Sequence, residues 1–231
     1  MQIGGFQKLT LLDYPGKVAC IVFTRGCNFR CPFCHNGPLV RPEAAAAGES
    51  ETDVLAYLRQ RRGILEGVVV TGGEPLMQPG LAGFLGRVRA LGYPVKLDTN
   101  GSFPERLQQL LAGGLLDYVA LDVKQAPDRY STACGLPGTL AARRVAESHR
   151  ILCEAGIPFE RRTTLVKGIH TRADVEALAR WIAGPQPYYL QSYVDSSQVL
   201  APDGLAAFSP QELEEMLQTA RAFCPAAALR T

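Results

Sequence analysis

The sequence predicts an α/β fold built on a parallel sheet, and three observations carry that prediction. Short β-branched runs alternate with helical periodicities along the 231 residues. No linker long enough to divide the chain interrupts them, so one domain over residues 1–231 is expected. Polar clusters follow four successive strands, at the carboxyl ends where parallel α/β folds place their sites. Such alternation implies right-handed crossovers, and six βα units would form either an open doubly wound sheet or an incomplete barrel.

An entry segment, residues 1–18, leads into a βα core at 19–193. Strands are expected at 19–24, 67–71, 95–99, 118–122, 159–166 and 188–191. Helical periodicity falls between them at 53–62, 80–91, 104–111, 140–155 and 172–183. Thr171 with Asp174 forms a capping-box pattern, and Ser209-Pro210-Gln211-Glu212 opens a C-terminal helix over 209–224. Gly92, Gly156 and Gly184 fall where C′ glycines end helices. Residues 43–51, rich in alanine and charge, read as a mobile surface loop.

Composition sets outer bounds. A net charge of +2 gives no reason to expect nucleic acid or an anionic membrane as a partner. No run reaches transmembrane length, and the opening Met1-Gln2-Ile3-Gly4-Gly5-Phe6 lacks the regions of a signal peptide, so a cytoplasmic location is expected. Seven cysteines, an odd number, argue against structural disulfides and for metal binding by the close-spaced Cys27, Cys31 and Cys34. Cys20, in an apolar run, and Cys153, beside Leu152, are expected as buried small hydrophobes; Cys134 and Cys224 show no neighbour that indicates a role.

Three thiolates within eight residues grip one metal centre and leave a coordination position open, whereas electron-transfer cubanes usually have four cysteines. Structural zinc would need a fourth ligand, and His35, adjacent to Cys34, is awkwardly placed to be it; Cys153 or His149 could reach the site only through the fold. Gly72-Gly73-Glu74 ends the second strand, combining a close backbone approach and exposed carbonyls with an anion, which suits an ammonium group. Asp98-Thr99-Asn100-Gly101 ends the third. Asp122 and Lys124 end the fourth, two apart and able to face the same pocket.

Cys27-x-x-x-Cys31-x-x-Cys34 with Gly72-Gly73-Glu74 resembles the radical S-adenosylmethionine (SAM) enzymes. The resemblance implies a partial (β/α)6 TIM-type barrel. It also implies a [4Fe–4S] cluster held by the three cysteines, with SAM chelating the fourth iron and cleaved reductively to a 5′-deoxyadenosyl radical. Cys34-His35-Asn36, Leu12-Asp13-Tyr14-Pro15-Gly16, Asp98-Thr99-Asn100-Gly101 and Leu121-Asp122-Val123-Lys124 are similar to segments of the glycyl-radical-enzyme activases. The pyruvate formate-lyase activating enzymes are among these. The longer form of the anaerobic ribonucleoside-triphosphate reductase activating proteins matches most, through Leu11–Lys17 and Arg25–Asn36.

That resemblance assigns Gly72, Gly73, Glu74 and Asp98 to the SAM amino group, Asp122 to the ribose hydroxyls and Lys124 to the carboxylate. Phe33, His35, Asn36 and Asn100 are expected around the same cofactor. Of Arg161 and Arg162, which point opposite ways on a strand, it aligns Arg162 with the site. The activase Pro-Tyr-His is replaced by Gln191-Ser192-Tyr193, so Gln191 or Tyr193 is expected to stand in for its histidine. Asp98, Thr99 and Asp122 are expected to hold a monovalent cation, as hard oxygen donors suit such ions. The implied partners are a glycyl radical enzyme and, as electron donor, a low-potential flavodoxin or ferredoxin. The cysteines leave none for a ferredoxin-like insertion. Two alternatives are a radical SAM enzyme acting on a small molecule, for example in modified-purine synthesis, and a zinc-stabilised binding module.

Overall fold

The computed structural model describes residues 1–40, 48–137 and 139–230. Eight strands form one sheet in sequence order: β1 (Ile3–Thr10), β2 (Ala19–Thr24), β3 (Gly67–Gly72), β4 (Val95–Thr99), β5 (Tyr118–Asp122), β6 (Phe159–Leu165), β7 (Tyr188–Ser192) and β8 (Ala227–Arg230). Only β1 pairs antiparallel, with β2; each later pair is parallel. The six expected strands are present within a residue of their expected ends. The outer two, β1 and β8, have no counterpart in the sequence reading.

Between them run α1 (Gly37–Val40), α2 (Glu51–Gln60), α3 (Leu81–Ala90), α4 (Pro104–Ala112), α5 (Tyr130–Cys134), α6 (Leu140–Glu154), α7 (Arg172–Trp181) and α8 (Pro210–Arg221). Both expected capping boxes form, Thr171 with Asp174 and Ser209 with Glu212. The expected loop at 43–51 is corrected at its end. Ser50 caps α2 by accepting from the Asp53 amide, so Glu51 is already helical. Residues 43–47 of that loop lie outside the described residues.

The sheet buries both faces, which explains its continuous apolar runs. Cys20, Val22, Val68, Val70, Val95, Leu97, Val119 and Leu121 face the helices and join the main core. Ile21 and Val69, of opposite parity, meet Ala19 and Tyr14 in a small second core inside the curve, with Phe23 and Tyr118 against it. Seven strands, β1 to β7, contribute residues to one cavity, which a flat sheet could not do. The sheet curls into a partial barrel whose edges are β1 and β8. No helix among the described residues is long and apolar enough to cross a membrane.

Candidate active site

The cysteines occupy the loop between β2 and α1, which has no regular structure of its own and is held from outside. Gly26 N donates to Leu39 O (2.8 Å) and Arg30 N to Cys134 O (2.8 Å). Gly73 N and Glu74 N reach across to Thr24 O (2.9 Å) and Gly26 O (2.8 Å). Gly72 has φ of 111°, and a Cβ on Gly72 or Gly73 would overlap the backbone of Thr24 or Gly26. The paired glycines are therefore demanded first by the cysteine loop, with which they form a second backbone layer. Asn36 Nδ2 adds a side-chain tie to Gly72 O (3.2 Å).

All three cysteines are free thiols, and all three line a cavity of about 500 Å³. Cys27 Sγ accepts from Phe29 N (3.4 Å) and lies 3.9 Å from Asn100 Nδ2. Burial pushes the Cys27 thiol up to about 12, aided by the Glu74 charge, and also raises Cys31 and Cys34. Metal binding must therefore displace protons from these sulfurs. Among the described residues no group of three or more His, Cys, Asp or Glu is arranged to hold a metal ion. Four-coordinate zinc would draw its ligands around one centre about 2.3 Å from each sulfur, whereas a cubane takes one cysteine per iron corner. His149 and Cys153 face each other on α6 (3.8 Å) and do not line this cavity, and Cys153 is exposed, not buried as expected.

Across the cavity stands a ladder of buried charge. Arg162 donates through Nε to Asp122 Oδ1 (2.8 Å) and through Nη1 to Asp98 Oδ2 (3.1 Å). Lys96 Nζ holds Asp98 Oδ1 (2.6 Å), and Lys124 Nζ holds Asp122 Oδ2 (3.1 Å). One layer below, Glu160 accepts both Nη atoms of Arg230 (3.0 and 3.1 Å) and the Tyr118 hydroxyl (3.1 Å), with Lys96 at 3.9 Å. Burial opposes ionisation of Asp98 and Asp122, but Arg162, with Lys96 or Lys124, outweighs it and holds both below the usual carboxylate range. Burial likewise opposes charge on Lys124, but Asp122 overcomes it and raises the ammonium above its ordinary range. Lys96, Glu160 and Arg230 were missed by sequence reasoning. The signal was available: Lys96-x-Asp98 and Glu160-x-Arg162 repeat the two-residue spacing of Asp122-x-Lys124.

Arg162 faces the cavity, while Arg161 turns into the opposite layer and donates to the carbonyls of Ile182, Gly184 and Gln186. Phe33, His35, Asn36, Gly72, Gly73, Asn100 and Gln191 also line the cavity. Tyr193 is buried, its ring 5.7 Å from that of His35, so Gln191 rather than Tyr193 reaches the space. Burial, then Lys124, lowers the His35 imidazole.

One assignment is corrected. Glu74 is fully buried behind the wall; its carboxylate accepts from Leu76 N (3.0 Å), Thr99 Oγ1 (2.7 Å) and Asn100 N (2.7 Å), and it does not face an ammonium ligand. Burial raises it to about 7 against those donors. The three residues expected to hold a cation, Asp98, Thr99 and Asp122, all line the cavity. Thr99 Oγ1 donates to Glu74 and accepts from Gly101 N (3.1 Å), while Lys96, Arg162 and Lys124 already supply the positive charge to Asp98 and Asp122.

The chain matches the radical SAM superfamily over residues 21–182. It is 29% identical over 195 residues to a Methanocaldococcus jannaschii protein named as a glycyl-radical enzyme activating enzyme, covering 83% of this chain and 79% of that one. It is 31% identical over 136 residues to the pyruvate formate-lyase-activating enzyme of Listeria monocytogenes, covering 54% of this chain and 53% of that one. The chain thus spans about half the length of the Listeria relative. A radical SAM methyltransferase from Sphaerobacter thermophilus shares the fold, with a TM-score of 0.72 at 19% identity, over 96% of this chain and 68% of that one. Three free cysteines and a charged wall around one cavity fit the family's cofactors, a [4Fe–4S] cluster and SAM, and the chain belongs to the radical SAM superfamily of enzymes.

Proposed function

We propose that this enzyme activates a glycyl radical enzyme by taking one hydrogen atom from a glycine Cα of its partner, and that the partner is an anaerobic ribonucleoside-triphosphate reductase in the cytoplasm. When bound, the cluster and SAM supply the carbon-centred radical for that abstraction, with a low-potential flavodoxin or ferredoxin as one-electron donor. The observation that carries the reading is the convergence of Cys27, Cys31 and Cys34 with Lys124, Asp122, Asp98 and Arg162 on one cavity. It is supported by a relative of activase name aligned over most of both chains.

The residues divide the work. Lys124, its side chain 18% exposed beside Asp122, binds the SAM carboxylate. The Gly72 and Gly73 segment, with the second lone pairs of Asp98, receives the amino group. Asp122 takes the ribose hydroxyls, held in place by Arg162. Phe33, His35, Asn36, Asn100 and Gln191 shape the rest of the pocket and exclude water.

Lys124→Met should keep cluster content and weaken SAM binding about ten- to a hundredfold, as loss of a charge-assisted hydrogen bond does. Unchanged SAM affinity would remove Lys124 from its role. In the intact enzyme, anaerobic reconstitution with dithionite should yield 5′-deoxyadenosine, and co-expression with the reductase should give a glycyl electron-paramagnetic signal. An intact cluster without SAM cleavage would end the enzymatic reading. Cleavage with no glycyl signal on any such partner would favour a small-molecule substrate.

A further inference from the structure

After β7 the chain turns back over the cysteine loop before reaching α8. Leu200 N donates to Cys34 O (3.1 Å), Ala201 N to Pro32 O (2.9 Å), and Gly37 N to Gln198 O (3.2 Å). These three bonds run along Pro32–Gly37, the stretch that carries Cys34 and follows Cys31 directly. The contact is tight, since a Cβ on Gly37 would overlap the Gln198 carbonyl. At its other end the segment is tied to the turn after β6: Lys167 and Ala206 exchange backbone bonds (2.8 and 3.2 Å), and Gly168 packs on the Gly204 carbonyl.

Side chains contribute little to this strap. Val199 enters the core and Leu205 packs against it, whereas residues 194–198 and 201–204 are exposed. Beside Val199, Leu205 and the Lys167–Ala206 bonds, the segment is placed by two loop carbonyls it satisfies and by the Gly37 amide it accepts. Those carbonyls belong to a loop that lacks secondary structure and must present three sulfurs in one geometry.

We propose that Gln198–Ala201 is a positioning clamp for the cysteine loop, holding Pro32 to Gly37 in the conformation that retains the cluster. The proposal rests on the cluster assignment but not on the identity of the radical acceptor. The geometry makes the clamp reciprocal: a loaded cluster fixes the loop carbonyls and so protects the strap amides.

The test uses the full chain, reconstituted anaerobically. Ala201→Pro removes the donor to Pro32, and the exposed Ala201→Ser keeps it. Gly37→Ala pushes on the same contact from the loop side. Iron and sulfide per chain, and the rate of iron loss to a ferrous chelator, are the readouts, with melting of the metal-free proteins as control. Ala201→Pro and Gly37→Ala should release iron about tenfold faster than wild type, the scale of one lost hydrogen bond, and Ala201→Ser should match wild type. Equal release from Ala201→Pro and Ala201→Ser would overturn the clamp. Should the proline variant fail to fold, wild-type amide exchange decides: Leu200 and Ala201 should exchange more slowly in the loaded protein, and equal exchange in both forms would overturn the proposal. A wild-type chain that takes up no iron would instead strike at the cluster assignment itself.

Discussion

On the β2–β3 side of the cavity the chain is held by its own backbone, whereas on the β4–β6 side it is held by charge. The cysteine loop leans on Gly72 and Gly73 through main-chain bonds, with Asn36 as a side-chain tie. The opposite wall places Lys96, Asp98, Asp122, Glu160 and Arg162 in mutual contact, closed from β8 by Arg230. The first arrangement should resist side-chain change and fail when a Cβ is added. The second should tolerate backbone adjustment and fail when one charge is removed, because its former partners stay buried.

Glu160→Ala is the most severe probe of that contrast. It leaves Lys96 with Asp98 alone, takes from Arg230 its bidentate partner, and should cost about 3–5 kcal/mol in denaturant unfolding of the metal-free protein. A loss below ~1 kcal/mol would mean the ladder is solvated rather than structural. On the other side, Gly73→Ala should cost about 3 kcal/mol and abolish cluster loading, as the Gly26 carbonyl it meets is backbone and retreats only if the loop moves. Normal iron content in that variant would show the loop to be held by something else.

The layer behind β6 offers a gentler probe. His149 packs its ring against Phe159, and burial, followed by the Arg161 charge, holds its imidazole down to about 4. A folded value below the unfolded one gives stability that is present above the ordinary histidine range and lost as pH falls through it toward about 4. At about pH 5 the loss should reach ~2 kcal/mol relative to neutral pH, and His149→Gln should flatten that part of the profile. An unchanged profile would place the acid sensitivity elsewhere. Least of all, Asn36→Ala should cost about 1 kcal/mol, one ordinary hydrogen bond, with cluster retained. A larger effect would make the loop depend on a side chain after all.

The difference between the two walls also governs what could be read in advance. Segments with strong β-branched or helical periodicity were legible, as were the cysteines, whose spacing is itself chemical information. β1, carrying Gly4 and Gly5 and an exposed stretch from Gln7 to Leu9, and β8, four residues beginning with two alanines, carry almost no periodic signal and exist because a neighbouring edge pairs with them. Glu74 was misread because a carboxylate beside two glycines looks like a ligand-binding group, and only the fold shows Thr99 and Asn100 turned toward it. Lys96 and Glu160 were overlooked because charged residues inside strands read as solvent-facing until the curvature of the sheet encloses them.

The spatial order of the strands has a consequence for synthesis. Since each strand lies beside the one made before it, the sheet can grow at its edge as the polypeptide leaves the ribosome. Glu160 does not follow that schedule. Its bidentate partner, Arg230, arrives 70 residues later. Until then a nascent chain can already contain the whole cysteine loop and yet carry an incompletely neutralised carboxylate at its centre. Emergence of β8 is therefore the event that supplies Glu160 with its bidentate partner. A ribosome-bound chain halted before residue 230 should be distinguishable from one that includes β8 by protease sensitivity at β6 and β7.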